Sequence, residues 1–357
     1  MVRRDGSITT ILDVAVSPEE DAEVRRVSIS NHGHRPREIE LTSYAEVVLA
    51  PREGDAAHPA FSKLFVQTEF VADVGTLLAT RRRRSPGEPE TWAAHLAAVE
   101  GDIVGDVQFE TDRARFIGRG RGIRAPICVT DGQPLSNTAG TVLDPIFSLR
   151  YRVRVPPGTT VRIAFWTLVA SSRSGALDLA DKHLDATAYE RAVTRAWTQA
   201  QVQLRHLGIS PDEAHLFQRL ANRVLYSDPT LRPSSEILKL SGFGPSALWP
   251  HGISGDLPIV LVRIDDVEDL GIVLQLLRAH EYWRMKQLVV DLVILNERPS
   301  SYIQELQTAL ETVTRTNRSR STPVGEGVRG SVFVLRADLL SMEVRVALQT
   351  AARAVLL

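Results

Sequence analysis

The sequence predicts a mixed α and β protein of two domains, a large antiparallel β-sandwich over residues 1–172 followed by a helical region. Three observations predict it. Apolar and polar residues alternate with a period of two through the first half. The period changes to three or four after "SSRSG", Ser171–Gly175. Helix-start and helix-stop residues then recur at the ends of the periodic segments.

The strands come first. Ile39, Leu41, Ala45 and Val47 share one parity, while Glu38, Glu40, Thr42, Tyr44 and Glu46 share the other. Such alternation marks a strand with one dry face and one wet face. The preceding "VRRVSIS" runs into "NHGHRP", which is turn chemistry, so these two strands are read as an antiparallel hairpin. Further on, Leu149, Tyr151, Val153 and Val155 alternate with three arginines, "PPGT" turns the chain, and Val161, Ile163 and Phe165 return. Between these pairs, "TWAAHLAAVEGDIVGDVQFET" and "ARFIG" supply shorter strands. Many short strands with Gly and Pro punctuation make a sandwich.

The helices follow, at about 174–184, 187–207, 211–226, 267–286, 302–313 and 342–357. Tyr189, Val193, Ala196, Trp197, Ala200 and Leu204 keep helical spacing up to Leu207, and Gly208 is the stop. "SPDE" opens the next helix with Ser210 as cap, Pro211 at the first position and Glu213 at the third, a capping box. Asp266 opens the following one, and Ser301 with Gln304 the one after. Residues 173–226 read as a helical linker and 227–357 as a second domain. The segment "SRSTPVGEGVRG" reads as a loop and "SVFVLRA" as a short extended piece.

Composition narrows the classes. The 357 residues are 43% apolar and 24% charged, an ordinary globular balance with room for two domains. A net charge of −1 gives no overall attraction to nucleic acid, and no such partner is expected. The run Arg81–Arg84 sits beside "SPGEPE" and reads as a solvated turn. Cys128 is the single cysteine, which excludes an internal disulfide and a cysteine-based metal site. The start carries no signal-peptide pattern, and "LPIVLV" and "LVVDLVIL" are too short to span a bilayer. The apolar end "AARAVLL", read as an uncapped helix end, suggests a piece of something larger.

The stretch "LWPHGISGDLPIVLVRIDD", Leu248–Asp266, concentrates an aromatic, an imidazole, two glycines and a carboxylate before an apolar run. With "DGSITTILDVAVSPEEDAEVRRVSISN", "REIELTSYAEVVLAP", "HPAFSKLFVQTEF", "RARFIGRGRG", "PLSNTAGTVLDPIFSLR" and "LLRAHEYWRMKQLVVDLVILNE", it resembles the bacterial cyclic β-1,2-glucan synthetases over essentially the whole chain. The matching part of that family is similar to cellobiose phosphorylase and its kin. The resemblance implies a carbohydrate-binding sandwich followed by the first part of an incomplete (α/α)6-type helical toroid, with the general-acid carboxylate beyond this chain. It implies β-glucan or gluco-oligosaccharide and the remaining domains of the parent synthetase as partners. No cofactor is implied, inorganic phosphate being a co-substrate only in the intact family. The location implied is cytoplasmic, tied to the inner membrane only through the parent.

Individual residues keep more than one reading. Asp256 serves as a reacting carboxylate, a sugar ligand or a cap on the element that "LPIVLV" begins, and the cap is the commoner use. His251 lies five residues before it in the same loop. Trp249 stacks on a pyranose face or packs in a core. Glu297, in "LNERPSS", is a sugar ligand or a solvated loop residue. No catalytic residue is expected beyond the weak candidates Asp256 and Glu297. In the sandwich, Tyr44, Trp92, His95 and Trp166 are the aromatic candidates, and alternation sends Trp166 and Phe165 to opposite faces, so one must leave the core. Arg119 and Arg121 in "GRGRG" hold an anion or simply flank a turn, and neither this stretch nor "GFGPS" is a phosphate loop. Ser254, in "GISGD", lies outside a nucleophile-elbow frame. The expected function is a carbohydrate-binding or scaffold fragment, inactive alone, of a β-1,2-glucan-building protein. The alternatives are a self-sufficient glycoside phosphorylase or hydrolase and a ligand-free structural module.

Overall fold

The computed structural model describes residues 1–357 apart from 186, 241, 243, 300–303 and 321–329. Ser301, read as a helix cap, and most of the loop read over 319–330 lie outside the described residues. The chain divides into two compact units, Met1–Ala200 and Gln201–Leu357.

The first unit is an antiparallel sandwich. Its larger sheet has the spatial order β1 (Val2–Asp5), β2 (Ile8–Val16), β3 (Ala22–Asn31), β13 (Thr160–Ala170), β8 (Trp92–Glu100), β7 (Thr76–Arg81), β6 (Val66–Val71), β11 (Gly140–Thr141). The smaller has β10 (Gln108–Asp112), β12 (Pro145–Val155) and β4 (Arg37–Thr42), with β5 (Ala45–Glu46) and β9 (Asp102–Ile103) also on β12. Leu77, Ile163 and Phe165 of the larger sheet pack on Phe147, Leu149 and Val153 of the smaller. The other face of the larger sheet is also dry. There Leu78, Leu96, Trp166 and Leu168 pack against α5 (Arg173–Leu184) and the start of α6 (Ala188–Leu207).

That second covering corrects one expectation. Trp166 and Phe165 do point to opposite faces, yet neither leaves the core: they are 0% and 6% exposed. Two more corrections concern connections. β3 pairs with β2 and β13, β4 pairs with β12, and β13 pairs with β3 and β8. Neither "NHGHRP" nor "PPGT" therefore closes a hairpin; each carries the chain from one sheet to the other. Alternation shows that a strand has one dry face, but two dry faces can lie side by side or face to face. "RARFI" is a helix, α3 (Arg113–Ile117), not a strand: the Asp112 carboxylate accepts from the Ala114 N–H and starts the turn. Three short helices complete the unit: α1 (Arg52–Ala57), α2 (Pro59–Lys63) and α4 (Ile127–Thr130).

The second unit departs from the helical ring implied for 227–357. It is built on a parallel sheet of β14 (Ile259–Ile264), β15 (Asp291–Asn296), β16 (Val332–Arg336) and β17 (Ala354–Leu356), in the order β16-β15-β14-β17. The helices are α7 (Pro211–Leu225), α8 (Ser235–Lys239), α9 (Leu270–Met285), α10 (Glu305–Arg320) and α11 (Met342–Ala351). Val260, Val262, Leu292 and Ile294 face a core shared with α7, α9 and α10, while Ile259, Leu261, Val293 and Leu295 face one shared with α11. With both faces covered, a strand reads as an unbroken apolar run, and periodicity cannot tell it from a buried helix. The apolar tail is explained in the same way. α11 stops at Ala351 and residues 354–356 pair with β14 as a strand, not as a helix end. The capping box at Ser210 and Glu213 is present as read.

Candidate functional site

Strand parity sets the site up. On β3 the residues that face the smaller sheet are Glu23, Arg25, Val27 and Ile29; on β13 they are Thr167, Phe165 and Ile163; on β8 they are His95 and Ala97. Most of this face is aliphatic or aromatic, as a sandwich interior requires. At one end it turns polar. Thr167 lies directly opposite both Glu23 and His95, so a row Glu23–Thr167–His95 crosses three adjacent strands.

Above that row the smaller sheet breaks between β4 and β5, and a cavity of about 540 Å3 opens. Its polar lining is Glu23, Arg25, Thr42, Ser43, His95 and Thr167, and its apolar walls come from Leu12, Val27, Leu41, Ala45 and Phe165, with Tyr44 at the rim. The volume falls in the range of small-molecule sites, and so does the mixture of apolar walls with a few convergent polar groups.

His95 is the most constrained of these residues. Its Nε2 lies 2.8 Å from Ser43 Oγ and its Nδ1 3.1 Å from Thr167 Oγ1. The ring lies parallel to Phe147 and Phe165, at centroid distances of 5.6 and 6.1 Å. Burial holds the imidazole at about 4, well below its ordinary value, so it is neutral at physiological pH. Ser43 Oγ also accepts from the Leu149 N–H at 3.0 Å, which ties the β4–β5 break to β12. Arg25 donates to Glu23 at 2.6 Å, and both side chains are part-exposed toward the cavity. Tyr44 is anchored from outside: its hydroxyl accepts from Arg113 Nε at 3.1 Å and donates to Glu46 at 3.0 Å, and burial raises its pKa.

Two of the sequence candidates, Tyr44 and His95, thus meet in one cavity. Trp92 and Trp166 do not join them. Both lie on the parity that faces the helices, and the Trp92 Nε1 donates to Glu90 at 2.6 Å. Sequence reasoning missed Glu23, Arg25, Ser43 and Thr167. For three of them a signal existed: Glu23, Arg25 and Thr167 are polar residues on the parity that otherwise carries Val27, Ile29, Ile163 and Phe165.

The remaining candidates belong to the second unit. Trp249 is 64% exposed, and its Nε1 donates to the Ser254 carbonyl at 3.1 Å. His251 is half-buried in the same turn, and Asp256 is exposed, its N–H donating to Ser254 Oγ at 3.2 Å. Glu297 follows β15, where Arg263 binds its carboxylate with two nitrogens at 3.0 and 2.9 Å. Asp256 precedes β14 and Glu297 follows β15. The two strands are parallel and in register, so the two residues flank opposite ends of a strand pair about 17 Å long. Paired glycosidase carboxylates stand about 5 to 9.5 Å apart. The two cannot act as such a pair. In "GRGRG", Arg121 is bound by Asp131 through two nitrogens at 2.7 and 2.9 Å, which leaves that guanidinium committed rather than open to an anion.

Among the described residues no group of His, Cys, Asp and Glu is placed to hold a metal ion, and no helix is long and apolar enough to cross a membrane.

Comparison with known proteins adds three findings. Residues 1–186 match the supersandwich domain of glycosyl hydrolase 94. The chain is 42% identical over 354 residues to the cyclic β-(1,2)-glucan synthase NdvB of Rhizobium meliloti, an alignment that takes in 99% of this chain and 12% of that protein. Among solved structures, a polysaccharide lyase aligns at 14% identity over 50% of this chain and 23% of its own, with a TM-score of 0.29. A heparinase III aligns at 7% identity over 49% and 21%, with a TM-score of 0.22.

Proposed function

The chain belongs to the glycosyl hydrolase 94 family through its supersandwich domain, and from that premise we propose that it is a carbohydrate-binding part of a protein that builds or trims β-1,2-linked glucan. The chain spans 12% of the length of its synthase relative. The bound unit is a glucosyl residue in the cavity over the Glu23–Thr167–His95 row.

One observation carries the reading: polar side chains, Glu23, Arg25 and Thr42 among them, set into an aliphatic and aromatic wall over a neutral His95 that Ser43 and Thr167 hold in place. A pyranose presents apolar C–H faces and a rim of hydroxyls, and this lining offers contacts for both. A neutral His95 adds no charge that would favour an anionic ligand. Arg25 and Glu23, already paired, supply donors and an acceptor at the cavity edge.

We further propose that the chain binds without catalysing, cytoplasmic and joined to the inner membrane through its parent. The separation of Asp256 from Glu297 supports this. Titration calorimetry with β-1,2-gluco-oligosaccharides is the direct test. Saturable heat that drops at least tenfold in affinity in Arg25→Ala is expected. No heat at any length of oligosaccharide, or heat unaffected by Arg25→Ala and Ser43→Ala, refutes the site. Release of glucose 1-phosphate from β-1,2-glucan and phosphate refutes the non-catalytic assignment.

A further inference from the structure

The arginine run reads from sequence as a solvated turn, and the structure keeps it so for three of its four residues. Arg81 is buried and paired with Glu88, but Arg82, Arg83 and Arg84 are exposed. The Arg84 guanidinium lies 5.0 Å from the Phe61 ring centre and 5.1 Å from that of Phe65, and Arg82 lies 5.7 Å from Phe65. The two rings meet edge to face at 5.2 Å. Cations over aromatic faces are held in place without being neutralised.

What sets these three cations apart is that they are consecutive and lie beside exposed aromatic and aliphatic side chains. On the sandwich strands Arg152, Arg154 and Arg162 are matched to Glu40, Glu38 and Glu100, and Arg173 of α5 is matched to Glu69. Arg82, Arg83 and Arg84 make no ion pair among the described residues. Glu88 accepts instead from the Arg81 side chain and the Arg84 backbone N–H. Glu90 holds the Trp92 indole. Glu53 and Asp55 on α1 make no ion pair with the three arginines.

Beside the cations, α1 and α2 present apolar side chains to solvent. Phe61 is 50% exposed and Leu64 is 47% exposed, and Ala56, Ala57, Pro59 and Ala60 are exposed with them. A soluble polyanion would be met by the arginines alone. Exposed Phe and Leu beside unpaired arginines match a surface with an apolar interior under anionic headgroups. We propose that the α1–α2 segment and Arg82–Arg84 form a peripheral contact with an anionic lipid bilayer, with Phe61 and Leu64 entering the headgroup boundary. This lies outside the sugar site and needs no membrane-spanning segment.

Sedimentation of the full chain with lipid vesicles tests it. Vesicles of phosphatidylcholine alone should bind little, and vesicles containing phosphatidylglycerol should bind clearly at about 0.15 M salt and lose the chain at about 0.5 M. Each arginine should contribute roughly fivefold, so Arg82→Ser, Arg83→Ser and Arg84→Ser together should lower partitioning about a hundredfold. Phe61→Ser with Leu64→Ser should also weaken binding but keep its salt dependence. Unchanged thermal melting of both variants shows that the fold is intact. Equal binding to both vesicle types overturns the proposal, as does no effect of the arginine variant. So does binding of a soluble polyphosphate, without vesicle binding, that the Phe61 and Leu64 variant leaves unaltered: that outcome marks an anion patch.

Discussion

The two units handle polar residues in opposite ways. The parallel sheet of the second unit fills both faces of β14 and β15 with aliphatic side chains, and keeps its charges at strand ends, where Arg263 and Glu297 neutralise each other. The sandwich admits Glu23, Thr167 and His95 to a face that should be dry, at the place where the opposing sheet breaks. A polar group on a buried face costs stability unless it is bonded, and here each is: His95 meets Ser43 and Thr167, and Glu23 meets Arg25.

The comparison can be tested from its strongest consequence downward. Trp166→Ala empties a fully buried position between the larger sheet and α5, and should cost about 3–5 kcal/mol in chemical unfolding of the sandwich. A loss under about 1 kcal/mol would mean that the helix-covered face is not a core.

Next comes pH. The unfolded chain protonates His95 below its ordinary 6.5, the folded one only below about 4. Between those values the unfolded state holds more protons. Stability should therefore fall as pH drops through that window, by about 3 kcal/mol in all, and the His95 contribution should level off below it. Comparing the pH profile of unfolding with that of His95→Gln isolates this slope, and identical profiles would contradict the buried neutral imidazole.

Ser43→Ala removes the hydroxyl that faces His95 Nε2 and accepts from Leu149 N–H, and should cost about 1–3 kcal/mol. Glu297→Gln breaks only a part-exposed ion pair and should stay within about 1 kcal/mol. Glucan binding should be untouched by it, and a lost calorimetric signal would move the site to the second unit. Trp249→Ala should be the mildest, within about 0.5 kcal/mol, because the ring is mostly in solvent.

Much of this was readable in the sequence. The alternating strands of the sandwich, the capping box at Ser210 and the helices α5, α6, α7 and α9 all follow from local patterns of one element. His95 and Tyr44 could be nominated because aromatic side chains in a sandwich have few uses. Glu23, Arg25 and Thr167 were visible only as parity violations, and nothing local said that they would be neighbours.

What the sequence by itself determined is where each strand and helix keeps its apolar side, because period-two and three-to-four spacing are properties of a single element. Tertiary structure alone decided which dry faces meet. It turned "NHGHRP" and "PPGT" into passages between sheets, covered Trp166 with α5 and α6, made parallel strands of "IVLVRI" and "DLVILN", and brought Ser43 across to His95. The physical reason is that pairing is settled by contacts between residues far apart in the chain, Ser43 with His95 and Glu23 with Thr167, whose energies no short window of sequence contains.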